Sequence, residues 1–275
     1  MECHLTNLTV HYQAFGEGKP FISISGIPSD HRIILDWLEP IFDQRPGWQR
    51  YYFDLPGTGR TSGDGITTID QVLDVVCEFI DAVIPAQSFT LLGLSVGGYL
   101  ARGVVHRKAA LVDGLCLLVP WLSDRDRSTL PPSVALVKDP AALAHLSAED
   151  AEMLEGLAAV QSQEVVDWYR EIVVPAREGA GKTMIEKRTY SFDIDKAAIP
   201  FERPTLILMG RQDTHVSYHD GWNILESYPR ATFAVLDRAG HALGVEQQGL
   251  FRALITEWLD RVEENQAPGS LEPGT

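Results

Sequence analysis

The chain has 275 residues, of which 45% are hydrophobic and 22% charged, with 23 basic against 38 acidic side chains and a formal net charge of −15. A chain of this length buries about three quarters of its unfolded surface, enough for one large α/β domain or a domain carrying an insertion. The acidic balance excludes a nucleic-acid or anionic-membrane surface and is read as solubility rather than as substrate attraction.

Cysteines are sparse. Cys3, Cys77 and Cys116 have no C-x-x-C spacing, so neither a disulfide framework nor a cysteine metal site is expected. No apolar run approaches the length of about 18 residues that a membrane span needs. The start, Met-Glu-Cys-His-Leu-Thr-Asn, shows no basic region followed by an apolar one, and a cytoplasmic protein is expected.

Two strand-like runs come first, Leu5 to Phe15 and Phe21 to Ser25, separated by the turn Gly16-Glu17-Gly18. A helix is predicted over Asp30 to Phe42, with Ile33, Ile34, Trp37, Leu38 and Ile41 at helical spacing, then a strand over Arg50 to Leu55. Ile69 to Ile84 reads as a long amphipathic helix. Ser88-Phe89-Thr90-Leu91-Leu92 reads as a buried strand, Gly98 to Arg107 as a helix, and Asp113 to Val119 as another apolar strand. From Leu122 to about Arg203 the strand signal stops and Ala-rich helical stretches take over. Ser147-Ala-Glu-Asp150 is a capping-box variant, and Ser162 caps a further helix through Trp168 and Tyr169. Alternation resumes with a strand over Pro204 to Met209, a helix around Gly221 to Tyr228, a strand over Ala231 to Leu236 and a last helix from Glu246 to Val262. This order predicts an α/β fold, a doubly wound and mostly parallel sheet, formed by residues 1–121 and 204–264. Residues 122–203 are then an inserted helical cap over the carboxyl edge, and 265–275, rich in Pro and Gly, a disordered tail.

Between the fourth predicted strand and its helix lies Gly93-Leu94-Ser95-Val96-Gly97. A serine in a G-x-S-x-G turn stands at a sharp strand-to-helix corner, next to the free N–H groups of a helix N-terminus, which suits a nucleophile. Such a serine needs a base, and the base an orienting carboxylate. His241, in Arg238-Ala-Gly-His-Ala after the strand Ala231 to Leu236, is the candidate base. Asp213, in the loop after the strand ending at Met209, is the candidate acid. His215 and His219 are rivals for the base, and Asp124 or Asp126 for the acid. Two N–H donors for an oxyanion are expected from Val96 and from Ile27 in Ser25-Gly26-Ile27-Pro28.

These segments resemble the α/β-hydrolase superfamily, of the type with a serine nucleophile and a helical cap. Asp54-Leu-Pro-Gly-Thr-Gly-Arg60 resembles its D-x-P-G-x-G-x-S segment with Thr61 following, and Gly210 to Asp213 and Ala239-Gly-His241 resemble its acid and histidine segments. Ser25-Gly26 stands where the family usually has His-Gly. The resemblance implies a cofactor-independent serine hydrolase acting on an ester-like carbonyl of a small-molecule substrate. The same triad also serves carbon–carbon bond hydrolysis of diketones, amide cleavage and perhydrolysis, and a binding module that kept the fold is the reading from another class. Trp121, Trp168 and Tyr169 are candidates for an acyl pocket, with packing of the cap as the alternative. Gly179-Ala-Gly-Lys-Thr183 lacks the first glycine of a phosphate loop, since Ala176 stands there. Lys182, Lys187 and Arg188 read as a solvated face, and no metal-ligand spacing is found.

Overall fold

The computed structural model describes residues 1–122, 129–178, 188–195 and 200–266. Strands β1 (Glu2–His4), β2 (Thr9–Phe15) and β3 (Lys19–Ile24) are followed by helix α1 (Arg32–Phe42), β4 (Trp48–Phe53), α2 (Ile69–Val83), β5 (Phe89–Leu94), α3 (Val96–Lys108) and β6 (Val112–Leu118). The chain then leaves the sheet for β7 (Val137–Lys138), α4 (Pro140–Leu143), α5 (Ala148–Leu157), β8 (Val160–Gln161), α6 (Gln163–Trp168), a π-helical turn at Tyr169–Val173 and α7 (Val174–Glu178). It returns with β9 (Thr205–Gly210), α8 (Tyr218–Asn223), β10 (Ala231–Leu236), α9 (Leu243–Glu246) and α10 (Gln248–Gln266).

Eight strands form one sheet in the order β1-β2-β4-β3-β5-β6-β9-β10. β2 pairs antiparallel with β1 and β4, and every other neighbouring pair is parallel. Successive side chains of a strand face opposite ways, and here both faces are covered. Phe21, Leu92, Cys116 and Leu206 share a core with the buried residues of α1 and α10, while Ile22, Leu91, Leu115 and Ile207 share one with α2 and α3. That is why the central strands are continuous apolar runs rather than alternating ones, and the sheet is the doubly wound one predicted. β3 runs to α1 and β4 on one side, whereas its other neighbour β5 runs to α3 on the opposite face. The carboxyl ends of β3 and β5 therefore flank the crevice where the strand order reverses, the usual ligand position in such sheets.

Several boundaries differ from expectation. The run Leu5 to Phe15 is not one strand: a turn closed by Leu5 N–H donating to the Leu8 carbonyl (2.9 Å) separates β1 from β2, with Thr6-Asn7 at its centre. α8 starts at Tyr218 instead of Gly221, because Ser217 caps it by accepting from His219 N–H (3.2 Å). The final helix is broken at Gln247 into α9 and α10 and runs on to Gln266. Asn265 and Gln266 thus belong to the helix rather than to a tail, held by Arg230 (2.6 Å) and Asp113 (2.6 Å); the rest of the expected tail lies outside the described residues. The stretch between β6 and β9 contains the expected helices, capped by Ser147 and Ser162, and also a two-stranded parallel sheet, β7 with β8, too short to leave a sequence signal.

One buried polar cluster holds the loop after β4 against the start of α1. Asp54, 1% exposed, accepts from His31 Nδ1 (2.6 Å), His11 Nδ1 (3.2 Å) and Arg60 N–H (2.9 Å). Arg60 also donates to His11 Nε2 (3.0 Å), which leaves the His11 proton on Nδ1, facing the carboxylate. Burial raises the Asp54 carboxyl pKa, but the His31 and Arg60 hydrogen bonds outweigh it and hold the group below its usual value; burial holds His11 below its own. A carboxyl depressed in the folded state contributes stability above its unfolded pKa and loses it as pH falls through the folded one. Asp54→Ala should therefore lower unfolding free energy by roughly 3 kcal/mol in urea titrations at pH 7, because four donors, the His31 backbone N–H (3.3 Å) included, lose their acceptor. The wild-type advantage should persist from pH 8 to 5 and shrink only below about pH 4.

Candidate active site

The G-x-S-x-G turn joins β5 to α3 as predicted. Ser95 caps α3 with φ +55° and ψ −118°, a conformation that costs a non-glycine residue about 1–3 kcal/mol and is kept only where surrounding structure over-determines it. Its N–H donates to the Leu118 carbonyl (2.9 Å), and its own carbonyl accepts from Gly98 (2.9 Å) and Trp121 (2.8 Å) N–H groups. The turn is tight because α3 presses on β3: a Cβ on Gly97 would lie 2.1 Å from the Ile24 carbonyl oxygen and 2.5 Å from that of Ser25. The same contact brings the loop after β3 beside the serine, with Gly26 directly against the Ser95 side chain. Val96 N–H belongs to the first turn of α3, whose amides have no acceptor within the helix.

Asp213 follows β9 and is fully buried. Its Oδ1 accepts from the N–H groups of His215 (2.7 Å) and Val216 (3.0 Å), and its Oδ2 accepts from His241 Nδ1 (2.7 Å). Three donors on one carboxylate fix its plane. With the Nδ1 proton committed to Asp213, the neutral His241 ring offers Nε2 as an acceptor. His241 comes from the loop after β10, where its N–H donates to the Leu157 carbonyl (2.7 Å).

Ser95, Val96, Ile27 and His241 line one cavity of about 830 Å³. Asp213 is not exposed to it. The remaining wall is largely apolar: Ile33 and Trp37 from α1, Ile69 from α2, Trp121 after β6, and Met153, Leu157, Trp168 and Val173 from the stretch between β6 and β9. Arg177, Arg188 and Glu152 contribute charge to the same wall.

Of the predicted pocket residues, Trp121 and Trp168 line this cavity, and Trp168 stacks on Trp37 with ring centroids 5.8 Å apart. Tyr169 does not. It is fully buried inside the insertion, accepting from Arg177 (2.9 Å) and donating to Asp150 (3.4 Å). Adjacent residues on a helical turn face about 100° apart, so only one of this pair reaches the cavity. His215 lies beside His241, ring centroids 5.1 Å apart, but its Nδ1 is 4.0 Å from Asp213, so the acid is paired with His241. His219 stacks on Tyr218 at the start of α8 and is not among the cavity residues. Asp124, Asp126, the Gly179–Thr183 stretch, Lys182 and Lys187 lie outside the described residues.

Two groups among the described residues bring three possible metal-ligand side chains together: His11, His31 and Asp54, and Asp213, His215 and His241. In the first, both nitrogens of each ring are engaged, His31 Nε2 by Gln13 (2.8 Å), so protein groups already take the ligand positions. In the second, the Asp213 oxygens are taken by the bonds described above.

One buried acid beside the site was read in the sequence only as the start of the last helix. Glu246 on α9 is buried, and its carboxylate accepts from Ala159 N–H (2.6 Å), Val160 N–H (3.0 Å) and Gly240 N–H (2.7 Å). Burial, with the Asp213 charge nearby, outweighs those bonds and pushes its carboxyl up to about 7. The available signal was an acid at the end of Ala242-Leu-Gly-Val-Glu246, in otherwise apolar company.

Comparison with known proteins agrees with this architecture. Residues 44–248 match the family model described as serine aminopeptidase, S33. A protein of Agrobacterium fabrum named "Putative carbamate hydrolase RutD" is 24% identical over 257 residues, covering 91% of this chain and 96% of its own. Among solved structures, an alpha/beta superfamily hydrolase from Oenococcus oeni PSU-1 superposes with a TM-score of 0.83 at 24% identity, covering 96% of this chain and 99% of its own. A thermophilic esterase from Thermogutta terrifontis gives 0.70 at 21%, covering 95% and 98%. Among the described residues no helix is long and apolar enough to cross a membrane. With a family model spanning most of its length and this sheet order, the chain belongs to the serine aminopeptidase S33 family of the α/β-hydrolase superfamily and is a hydrolase.

Proposed function

We propose that the chain is a serine hydrolase that cleaves small carboxylic esters and related acyl compounds through an acyl-enzyme. The observation that carries this is the 2.7 Å bond from His241 Nδ1 to the buried Asp213, in a cavity that Ser95 also lines. His241 Nε2 takes the Ser95 hydroxyl proton as Oγ attacks the substrate carbonyl, and Asp213 stabilises the imidazolium that forms. The N–H groups of Ile27 and Val96 receive the negative charge on the former carbonyl oxygen. The leaving alcohol takes the proton from His241. Water, deprotonated by the same ring, then attacks the ester of Ser95 and releases the acid. Nucleophile, base and donors all come from the chain, so this reading calls for no cofactor.

Residues 122–203 act as the cap in this reading, and its apolar wall together with Trp37 and Trp121 selects the substrate. A cavity of about 830 Å³ suits a medium-sized apolar acyl or aryl group. A carbamate is the second substrate class worth assaying, on the name of the Agrobacterium relative, because the same steps cleave it.

Ser95→Ala and His241→Ala should each lower kcat/KM by about 10⁴-fold or more, because the three side chains act as a unit. The check is hydrolysis of a panel of p-nitrophenyl esters, carbamates and β-diketones, with fluorophosphonate labelling mapped by mass spectrometry. An active Ser95→Ala protein would sink the mechanism, and absent labelling of a folded wild type would favour a binding role. Trp168→Ala should move the preferred acyl chain to greater length, and an unchanged chain-length profile would remove Trp168 from the specificity wall.

A further inference from the structure

Glu246 takes no part in the steps just described, yet each of its hydrogen bonds ends on a segment that borders the site. Its Oε2 accepts from Gly240, the residue before His241 (2.7 Å). Its Oε1 accepts from Ala159 (2.6 Å) and Val160 (3.0 Å) in the insertion. Two residues before Ala159, the Leu157 carbonyl accepts from the N–H groups of His241 (2.7 Å) and Ala242 (3.2 Å). Thr214, next to Asp213, donates its hydroxyl proton to the Gly156 carbonyl (2.8 Å). The His241 loop and the insertion are thus pressed together backbone to backbone. A Cβ on Gly240 would lie 2.5 Å from the Leu157 oxygen, so no side chain fits between them.

The chemistry of the group is specific. Three main-chain donors converge on it, two on Oε1 and one on Oε2, and a carboxyl group offers an acceptor oxygen at both ends. Glutamine has the same size but must turn its NH₂ toward either Gly240 or the Ala159–Val160 pair, setting donor against donor. An apolar residue would leave three buried N–H groups without an acceptor, a costly outcome. A buried acid is itself expensive to ionise, and the raised pKa of this one reflects that expense. Packing alone would be better served by leucine.

Building on the assignment of Ser95, Asp213 and His241 as the triad, the geometry points to Glu246 as a positioning residue for His241. It clamps the His241 loop to the insertion, so that Nδ1 stays on Asp213 while Nε2 faces Ser95. It touches neither substrate nor reacting atoms and acts through the Gly240 and Leu157–Val160 backbone.

The test compares wild type with Glu246→Gln and Glu246→Asp, at a temperature well below the unfolding transition of each, on a p-nitrophenyl ester that wild type hydrolyses. Active sites are counted by fluorophosphonate labelling run to completion. Glu246→Gln should lose about 10- to 100-fold in kcat per labelled site, the scale of a sub-ångström to 1 Å displacement of a catalytic group. Its labelling rate should fall by a similar factor while KM stays within about threefold, since the apolar wall that binds substrate is intact. Glu246→Asp, with both acceptors but shorter reach, should recover part of the loss. A Glu246→Gln enzyme with wild-type kcat per labelled site, differing only in unfolding temperature, overturns the proposal. So does failure of both variants to fold, which would make the carboxylate a structural element only. Failure of the triad assignment would look different: wild type itself would neither hydrolyse the ester nor label at Ser95.

Discussion

The first turn of α3 lies so close to β3 that its backbone meets the Ile24 and Ser25 carbonyls with no room for a side chain at position 97. That contact holds together two chain segments far apart in sequence, the end of β5 and the loop after β3. It obliges Ser95 to turn the corner with positive φ and sets Gly26 and Ile27 beside it. The strand order reverses at this point, so a crevice already exists there for a ligand. The conformational strain at the serine is sustained because parallel pairing on both sides of β5 and the burial of α3 leave it no relaxed alternative. The acid and the histidine arrive from β9 and β10 at the same edge, and their placement is a consequence of sheet order rather than of local sequence.

Two buried carboxylates frame this arrangement and differ in how they are satisfied. Asp54 meets two imidazole N–H groups and two backbone amides, and its carboxyl is held below the ordinary range. Glu246 meets three amides, but burial and the nearby Asp213 charge outweigh them, and its carboxyl is held above it. A folded protein that keeps the Glu246 proton up to about pH 7, when an unfolded glutamate releases it near 4.5, loses stability from this group as pH rises between those values. Ionised, it costs roughly 3 kcal/mol. Asp54 strengthens the core, whereas Glu246 draws on the core's stability to order a loop.

Strands, helices and the candidate site residues Ser95, Asp213 and His241 were legible because each rests on a local signal: an apolar run, a helical spacing, a serine between glycines, an acid or histidine just past a strand. Tyr169 follows the packing alternative and Trp168 the pocket one, a choice left open in sequence because adjacent aromatic residues look alike and the helical turn that separates their directions is set by packing. Glu246 was missed for a different reason. Its partners Ala159 and Val160 are 87 and 86 residues away and offer only main-chain N–H groups, which every residue but proline possesses. A side-chain pattern announces a bond to a nearby backbone, as at the Ser147 and Ser162 caps, but not one to a backbone so distant in sequence. The break at Gln247 and the short strands β7 and β8 are similarly tertiary, imposed by where the insertion touches the sheet edge.

The Leu157 carbonyl, shared by the amides of His241 and Ala242, also has a bearing on how this fold diversifies. Segments inserted between core strands are natural modules for exchange, since they carry specificity while the sheet carries chemistry. Here the inner border of the stretch between β6 and β9 is stitched to the backbone of His241, so the unit of recombination is smaller than that whole stretch. Chimaeras with seams inside 140–155 would inherit new pocket walls and keep the stitch. Those that also replaced 156–161 would trade away part of the His241 loop's support along with the old pocket wall.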